Sequence, residues 1–226
     1  MIKGIIIFTD IAGSSKLWNK YKNNFYKKLR ELNRIIESKI KKYNGMIVKL
    51  IGDSHMIFFE DKNILNSLNF VFELQMTLFN KNLNINGDKI QIRIGYSYGE
   101  MNKYINKVQS CNLIDFYGNN VNMASRLESL ISSKGGIAIH FNKFENYFNH
   151  LNPELKEFIK KYYDNQEIDY DISNRNNRNK ISLKNNKNLS SSIIKIKKTI
   201  KHISKTKQLK KFRGVVFDDI YNFKLK

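Results

Sequence analysis

The sequence predicts an α+β fold, an antiparallel or mixed sheet with helices packed mainly on one face. Two kinds of hydrophobic periodicity carry this expectation: short β-branched runs that stop at polar turns, and longer stretches with apolar residues three or four apart. The third observation is their order along the chain: strand, helix, hairpin, helix, strand, then a further helix and strand. That order is related to the ferredoxin-like or palm-type plan.

Residues 4 to 9 form a β-branched and aromatic run ending at Asp10, which predicts a buried strand. From Ser15 to about Tyr43 the spacing of Leu17, Tyr21, Phe25, Leu29, Leu32, Ile36 and Ile40 predicts one helix, closed by Asn44-Gly45. Met46–Leu50 and His55–Phe59 are two apolar runs, and the Gly52-Asp53 between them suits the turn of a hairpin. Asp53 is thereby predicted at the hairpin tip. Ile64 to Phe79 reads as a second helix, Gln91 to Ser97 as a strand, Asn119 to Ile131 as a third helix and Ile137 to His140 as a short strand.

The 226 residues, 41% of them hydrophobic, are enough for one sizeable core with additional surface segments. Three parts are expected: a core over 1–150, a basic insertion over 151–207, and a C-terminal hairpin over 208–226 that returns to the core. Residues 172 to 211 hold thirteen Lys or Arg and no Asp or Glu, among clusters of Asn and Ser, which predicts a solvated or partly disordered segment. Its second half, Ile193 to Ile203, has the pattern of a short basic amphipathic helix.

Cys111 is the only cysteine, which excludes an intramolecular disulfide and any multi-Cys zinc site. His55, His140, His150 and His202 are scattered without ligand spacing. No run reaches the roughly 18 to 20 apolar residues of a membrane span, and a soluble, cytoplasmic protein is expected. The formal charge of +20 admits a polyanionic partner, with weak polyanion binding expected through the basic insertion.

Two carboxylates at strand ends, Asp10 and Asp53, converge if the first strand lies beside the hairpin. Such a pair suits divalent cations that neutralise a triphosphate, because hard cations take oxygen ligands. The Ile11-Ala12-Gly13-Ser14-Ser15 segment then opens a helix whose free amides and positive dipole end favour phosphate. On local pattern alone, Ser14 or Ser15 serves equally well as a helix cap.

Phe8-Thr9-Asp10-Ile11-Ala12-Gly13-Ser14-Ser15-Lys16-Leu17-Trp18 resembles the opening motif of class III nucleotidyl cyclase catalytic domains. Asn44 to Asp53, Ile92 to Glu100, and Asp115 to Glu128 resemble three further motifs of that family, in the same order. The resemblance covers about residues 4 to 142 and a tail from about Leu209. It implies Asp10, Asp53 and Ile11 at a metal site for two Mg²⁺ or Mn²⁺ ions, and Gly13, Ser14 and Ser15 at the phosphates. It further implies Lys49 and Asp115 as readers of the base, Asn122 as the residue that orients the ribose, and Arg126 as the one that stabilises phosphate charge.

Guanylate cyclases of this family tend to carry Glu and Cys where Lys49 and Asp115 stand, so this pair favours ATP. Lys210 resembles a triphosphate-touching lysine, although Lys211 stands where the family usually has Gly. The resemblance implies an adenylate cyclase that forms 3′,5′-cyclic AMP and pyrophosphate, working as a head-to-tail homodimer with sites at the interface. Two alternatives stay open at this point: a cyclase with another base preference, and a catalytically idle nucleotide- or polyanion-binding module.

Overall fold

The computed structural model describes residues 1–108, 111–130 and 135–162, with the backbone of strands at 167–169, 182–184, 194–196 and 220–223. The chain runs β1 (Ile2–Ile11), α1 (Ser14–Tyr21), α2 (Asn23–Lys42), β2 (Met46–Ile51), β3 (Ser54–Glu60), α3 (Ile64–Lys81), β4 (Asn84–Ile85) and β5 (Asp88–Lys89). It continues through β6 (Ile92–Val108), β7 (Cys111–Tyr117), α4 (Asn119–Leu130), β8 (Gly136–His140), α5 (Phe144–Phe148) and α6 (Pro153–Tyr162). Four short strands follow: β9 (Glu167–Asp169), β10 (Ser182–Lys184), β11 (Ile194–Ile196) and β12 (Ile220–Phe223).

One sheet organises the fold, in the order β11-β12-β8-β6-β1-β3-β2, with β7 paired to the outer half of β6. Strand β1 is antiparallel to both of its neighbours, β3 and β6, whereas β8 runs parallel to β6. The sheet is therefore mixed.

Alternation along β1 sends Ile5, Ile7 and Ile11 into the larger core and Ile6 and Phe8 into a smaller cluster on the other face. The larger core is closed by Leu17 of α1, by Phe25, Leu32, Ile36 and Ile40 of α2, by α3, and by Leu155, Phe158 and Ile159 of α6. On the opposite face α4 packs with Ala124 buried beside Ile6, Met56, Phe58, Met101 and Phe116. Among the described residues most helices thus share one face, as the periodicity predicts, and α4 is the one helix on the other. Asp10, two residues beyond Phe8, belongs to that second face.

Several elements differ from expectation. The single helix expected from Ser15 to Tyr43 is broken at Lys22, whose φ of 43° and ψ of −115° are non-helical. The break allows Trp18 to pack edge-on against Phe25, with ring centroids 4.9 Å apart, a favourable aromatic geometry. Strand β6 runs eleven residues beyond Ser97 and forms a hairpin with β7, a strand that the sequence pattern does not announce. Residues 194–196 form a strand paired with β12, not part of a basic helix. Ile-Lys-Ile has period two, and pairing to a sheet edge favours that period over a helical one.

Candidate active site

The end of β1 is where the charged residues gather. Asp10 lies opposite Arg93 in the β1–β6 register, and Arg93 Nη2 donates a hydrogen bond to Asp10 Oδ2. Asp10 Oδ1 accepts a hydrogen bond of 2.8 Å from Ser54 Oγ at the start of β3. The hairpin tip beside it is a two-residue turn in which Gly52 has a φ of 64°. This left-handed geometry suits glycine and lets β2 fold back at once, so that Asp53 reaches Asp10.

Asp53 is partly buried, and its Oδ2 is buried with no hydrogen-bond partner among the described residues. Burial raises its pKa above the ordinary carboxylate value, the charge of Asp10 raises it further, and the Ser14 hydroxyl opposes both. A third carboxylate, Glu128 on α4, lies close enough to feel both. Burial pushes its pKa up to about 7, the neighbouring Arg93 opposes that, and Asp10 and Asp53 add to it. Arg93 Nε is 2.9 Å from Glu128 Oε1. Both atoms lack a well-aligned hydrogen bond, so this contact is an ion pair in charge rather than in geometry.

Strand β1 lies beside the hairpin, and Asp10, Asp53 and Ser14 come together there. The structure adds Arg93, Glu128 and Ser54, which sequence reasoning missed. Arg93 and Glu128 stand inside the quoted motifs, but only strand register and helix docking put them beside Asp10.

Gly13 takes a left-handed conformation with φ of 73°, and the space around its Cα is open. Helix α1 starts after it with no side-chain cap, so neither Ser14 nor Ser15 serves as one. Ile11 points into the larger core and is 1% exposed; only its main chain is available to a metal.

Lys49 and Asp115, 66 positions apart, meet: Lys49 Nζ donates to Asp115 Oδ2 at 2.6 Å, and the Phe116 amide donates to Oδ1 at 2.8 Å. Burial alone would raise the pKa of Asp115, but these two donors outweigh it and hold it below the ordinary value. In the sheet, Phe8, Met56 and Lys49 lie in one cross-strand row, two residues along from the row of Asp10. The bulge after Ile47 shifts the β2 register so that Lys49 comes opposite Met56.

Asn122 and Arg126 lie one turn apart on α4. Two residues, about 200° of helical rotation, separate them from Ala124 and Glu128, which face the sheet. They therefore project away from Asp10 and Asp53 of their own chain. Lys210, with the flanking Leu209, Lys211 and Phe212 and most of the basic insertion, lies outside the described residues.

Other titratable groups stay apart. His55 sits on the large-core face, where burial lowers its pKa to about 4, and its Nδ1 is 3.3 Å from Thr9 Oγ1. Among the described residues, no group of three or more His, Cys, Asp or Glu has the spacing to hold a metal ion by itself. The residues present nevertheless fit a divalent cation completed by other ligands. An orphaned buried oxygen on Asp53 and like charge from Asp10 are what a cation would satisfy.

The family pattern described as the adenylate and guanylate cyclase catalytic domain matches residues 4–151, about two thirds of the chain. The chain belongs to this cyclase family. Curated relatives include an adenylate cyclase of Neurospora crassa, 25% identical over 143 residues, and one of Podospora anserina, 26% identical over 152 residues. These matches take in 55% and 59% of the chain but only 6% and 7% of the relatives, which are far longer proteins.

Solved structures with the same fold include an adenylate cyclase of Trypanosoma brucei in its monomeric state, with TM-score 0.58, 17% identity, and coverage of 99% of this chain and 89% of that one. The adenylyl cyclase CyaB of P. aeruginosa gives TM-score 0.55 at 18% identity, covering 99% and 93%. A guanylyl cyclase domain from the fungus Blastocladiella emersonii gives 0.54 at 19%, covering 74% and 88%. The cyclase fold is thus shared with proteins named for either purine, and the base must be argued from the pocket. Among the described residues of this cyclase domain, no helix is long and apolar enough to cross a membrane.

Proposed function

We propose that the chain is an adenylate cyclase that converts ATP to 3′,5′-cyclic AMP and pyrophosphate. The observation that carries the choice of base is the Lys49–Asp115 pair. Adenine presents a ring-nitrogen acceptor and an exocyclic amino donor, and a lysine beside a carboxylate offers the complementary donor and acceptor.

Asp10 and Asp53 would hold two Mg²⁺ or Mn²⁺ ions, with the main chain of Ile11 alongside. When bound, these ions supply charge for the triphosphate and acidify the ribose 3′-hydroxyl. The 3′-hydroxyl gives up its proton to solvent and its oxygen forms a bond to the α-phosphorus, while the bond from that phosphorus to the pyrophosphate oxygen breaks and pyrophosphate leaves. The protein's own contribution is positioning and electrostatics. Gly13, Ser14 and Ser15 at the open start of α1 cradle the phosphates, Asn122 orients the ribose, and Arg126 meets the charge that develops on the phosphate. Lys210 is assigned to the triphosphate by resemblance.

Because Asn122 and Arg126 face away from the carboxylates of their own chain, a complete site takes them from a second copy. A head-to-tail homodimer follows. The β6–β7 hairpin supports this assembly, since it exposes Tyr104, Ile105, Leu113 and Tyr117, each at least half accessible.

The test is incubation of the purified protein with each of the four nucleoside triphosphates, with Mg²⁺ and then Mn²⁺, and mass identification of the products. Cyclic AMP as the main product is expected. A different cyclic nucleotide would overturn the argument from Lys49 and Asp115, and no cyclic product from a demonstrated dimer would overturn catalysis itself.

A further inference from the structure

The positive charge of the described core is concentrated in two helices. Residues 1–162 hold 24 Lys or Arg and 14 Asp or Glu, a net of 24 − 14 = +10. Residues 14–42, spanning α1 and α2, hold ten of those basic residues and only Glu31 and Glu37, a net of 10 − 2 = +8. Eight of the ten excess charges of residues 1–162 thus lie on these two helices.

On α2 this charge is ordered. Phe25, Leu32, Ile36 and Ile40 are buried, and the side opposite them carries Lys27, Arg30, Arg34 and Lys41, all exposed. These four follow one another at helical spacing along a ridge of fifteen residues, about 21 Å from first to last. Of the other six basic residues in this stretch, four are already engaged: Lys28 with Glu31, Lys39 and Lys42 with Glu73, and Lys20 with Asp88. The four ridge residues have no carboxylate within ion-pair distance among the described residues, and Glu37 is the one acid that shares their stripe. Tyr26, 51% exposed, lies one turn before Arg30, and Trp18 on α1 is 38% exposed.

We propose that the α2 ridge is a docking surface for an anionic phospholipid membrane. A single file of cations on a straight helix matches a plane of negative headgroups. A nucleic-acid duplex would instead ask for cations on both walls of a groove about 12 Å wide, and here one flank of the ridge carries residues in internal ion pairs and the other carries Tyr26 and Glu37. An amphipathic ring such as Tyr26, one turn before Arg30, settles at the headgroup level. The apolar side of α2 is committed to the core, so the attachment is peripheral and electrostatic, without insertion of the helix. It leaves free the opposite sheet face, which bears Asp10, Lys49 and α4.

The proposal is independent of the base and metal assignments, and its test needs no nucleotide. The full chain is mixed with vesicles of phosphatidylcholine containing about 30 mol% phosphatidylserine, and the bound fraction is read by sedimentation against pure phosphatidylcholine. The variant K27Q/R30Q/R34Q/K41Q is compared with K62Q/K81Q/K89Q/K143Q, which removes the same charge from exposed sites elsewhere.

At about 1 kcal/mol per basic residue near the surface, loss of four converts to a fall of several hundredfold in partitioning for the ridge variant, against roughly threefold or less for the control. Wild-type binding should also fall away in high salt. Circular dichroism should show both variants folded, since every altered side chain is exposed. Equal losses in the two variants, or full binding by the ridge variant, would overturn the proposal. It would be overturned as well if the ridge variant lost affinity for duplex RNA but not for vesicles, which would assign the ridge to nucleic acid.

Discussion

At Gly95 the backbone of α4 comes closest to the sheet, and Gly95→Ala tests whether this docking sets the site. A Cβ built at Gly95 overlaps the Ala124 carbonyl oxygen and the Glu128 amide nitrogen and comes within 3.0 Å of Glu128 Cα. All three are backbone atoms of one helix, so no side-chain rotation relieves the overlap. To restore ordinary carbon contacts of about 3.5–4.0 Å, the helix must withdraw by about an ångström. Overpacking of this kind costs about 1–3 kcal/mol, and for a chain of this length each kcal/mol lowers the melting midpoint by about 2–4 °C.

The same displacement carries Asn122 and Arg126 outward and pulls Glu128 from Arg93. A misplacement of about 1 Å costs on the order of 100-fold in rate. Thermal unfolding would give the first figure. Turnover of ATP, assayed at a temperature where both proteins are fully folded, would give the second. The exposed change Lys81→Ala, at the end of α3 and away from the site, should leave both unaltered. Wild-type turnover by Gly95→Ala at an unchanged midpoint would refute the argument that α4 is seated through Gly95.

Three further outcomes are expected. Asp53→Asn removes like charge beside Asp10 and should raise the stability of the metal-free protein by about 1 kcal/mol while abolishing the rise in melting midpoint on adding Mn²⁺; an intact metal-dependent rise would remove Asp53 from the metal site. K49E/D115C should shift product formation from cyclic AMP toward cyclic GMP, read by product mass, and an unchanged ATP preference would detach base selection from this pair. Glu73 is held at about 2, where burial alone would raise it, by Lys39, Lys42 and Tyr43. Its folded pKa is depressed, so its stabilisation is complete above the unfolded value near 4.5 and is lost as pH falls toward 2. Glu73→Gln should therefore be less stable than wild type at pH 7, on the order of 2 kcal/mol after allowance for the exposed Lys42, and the gap should close toward pH 2 in denaturant titrations; a gap independent of pH would contradict the linkage.

Local pattern was enough for what depends on neighbours in sequence. The β-branched run stopping at Asp10, the Gly52-Asp53 turn and the apolar stripe of α2 each declare themselves within about a dozen residues, because period and turn chemistry are local properties. The break at Lys22 was hidden because the apolar spacing runs through it unchanged; only the packing of Trp18 on Phe25 gives a reason for the helix to bend there. Asn86-Gly87, both with positive φ, mark the small β4–β5 hairpin in a signal that was present but unused. Strand β7 was hidden for another reason: its pairing with β6 leaves Leu113 and Tyr117 exposed, so it lacks the buried alternation that reveals a strand.

The candidate site divides in the same way. By itself the sequence determined which residue types are present and in what order: two aspartates at strand ends, a glycine-serine helix start, and a polar pair one turn apart on α4. Only the tertiary structure decided that Arg93 faces Asp10 across a strand pair, that Glu128 comes down onto both, and that Lys49 and Asp115 touch. Those contacts join residues 83, 35 and 66 positions apart, and strand register and helix docking fix them through the packing of the whole core. It was likewise the docking of α4 through Gly95 that turned Asn122 and Arg126 away from their own carboxylates, an orientation that no spacing along one chain specifies.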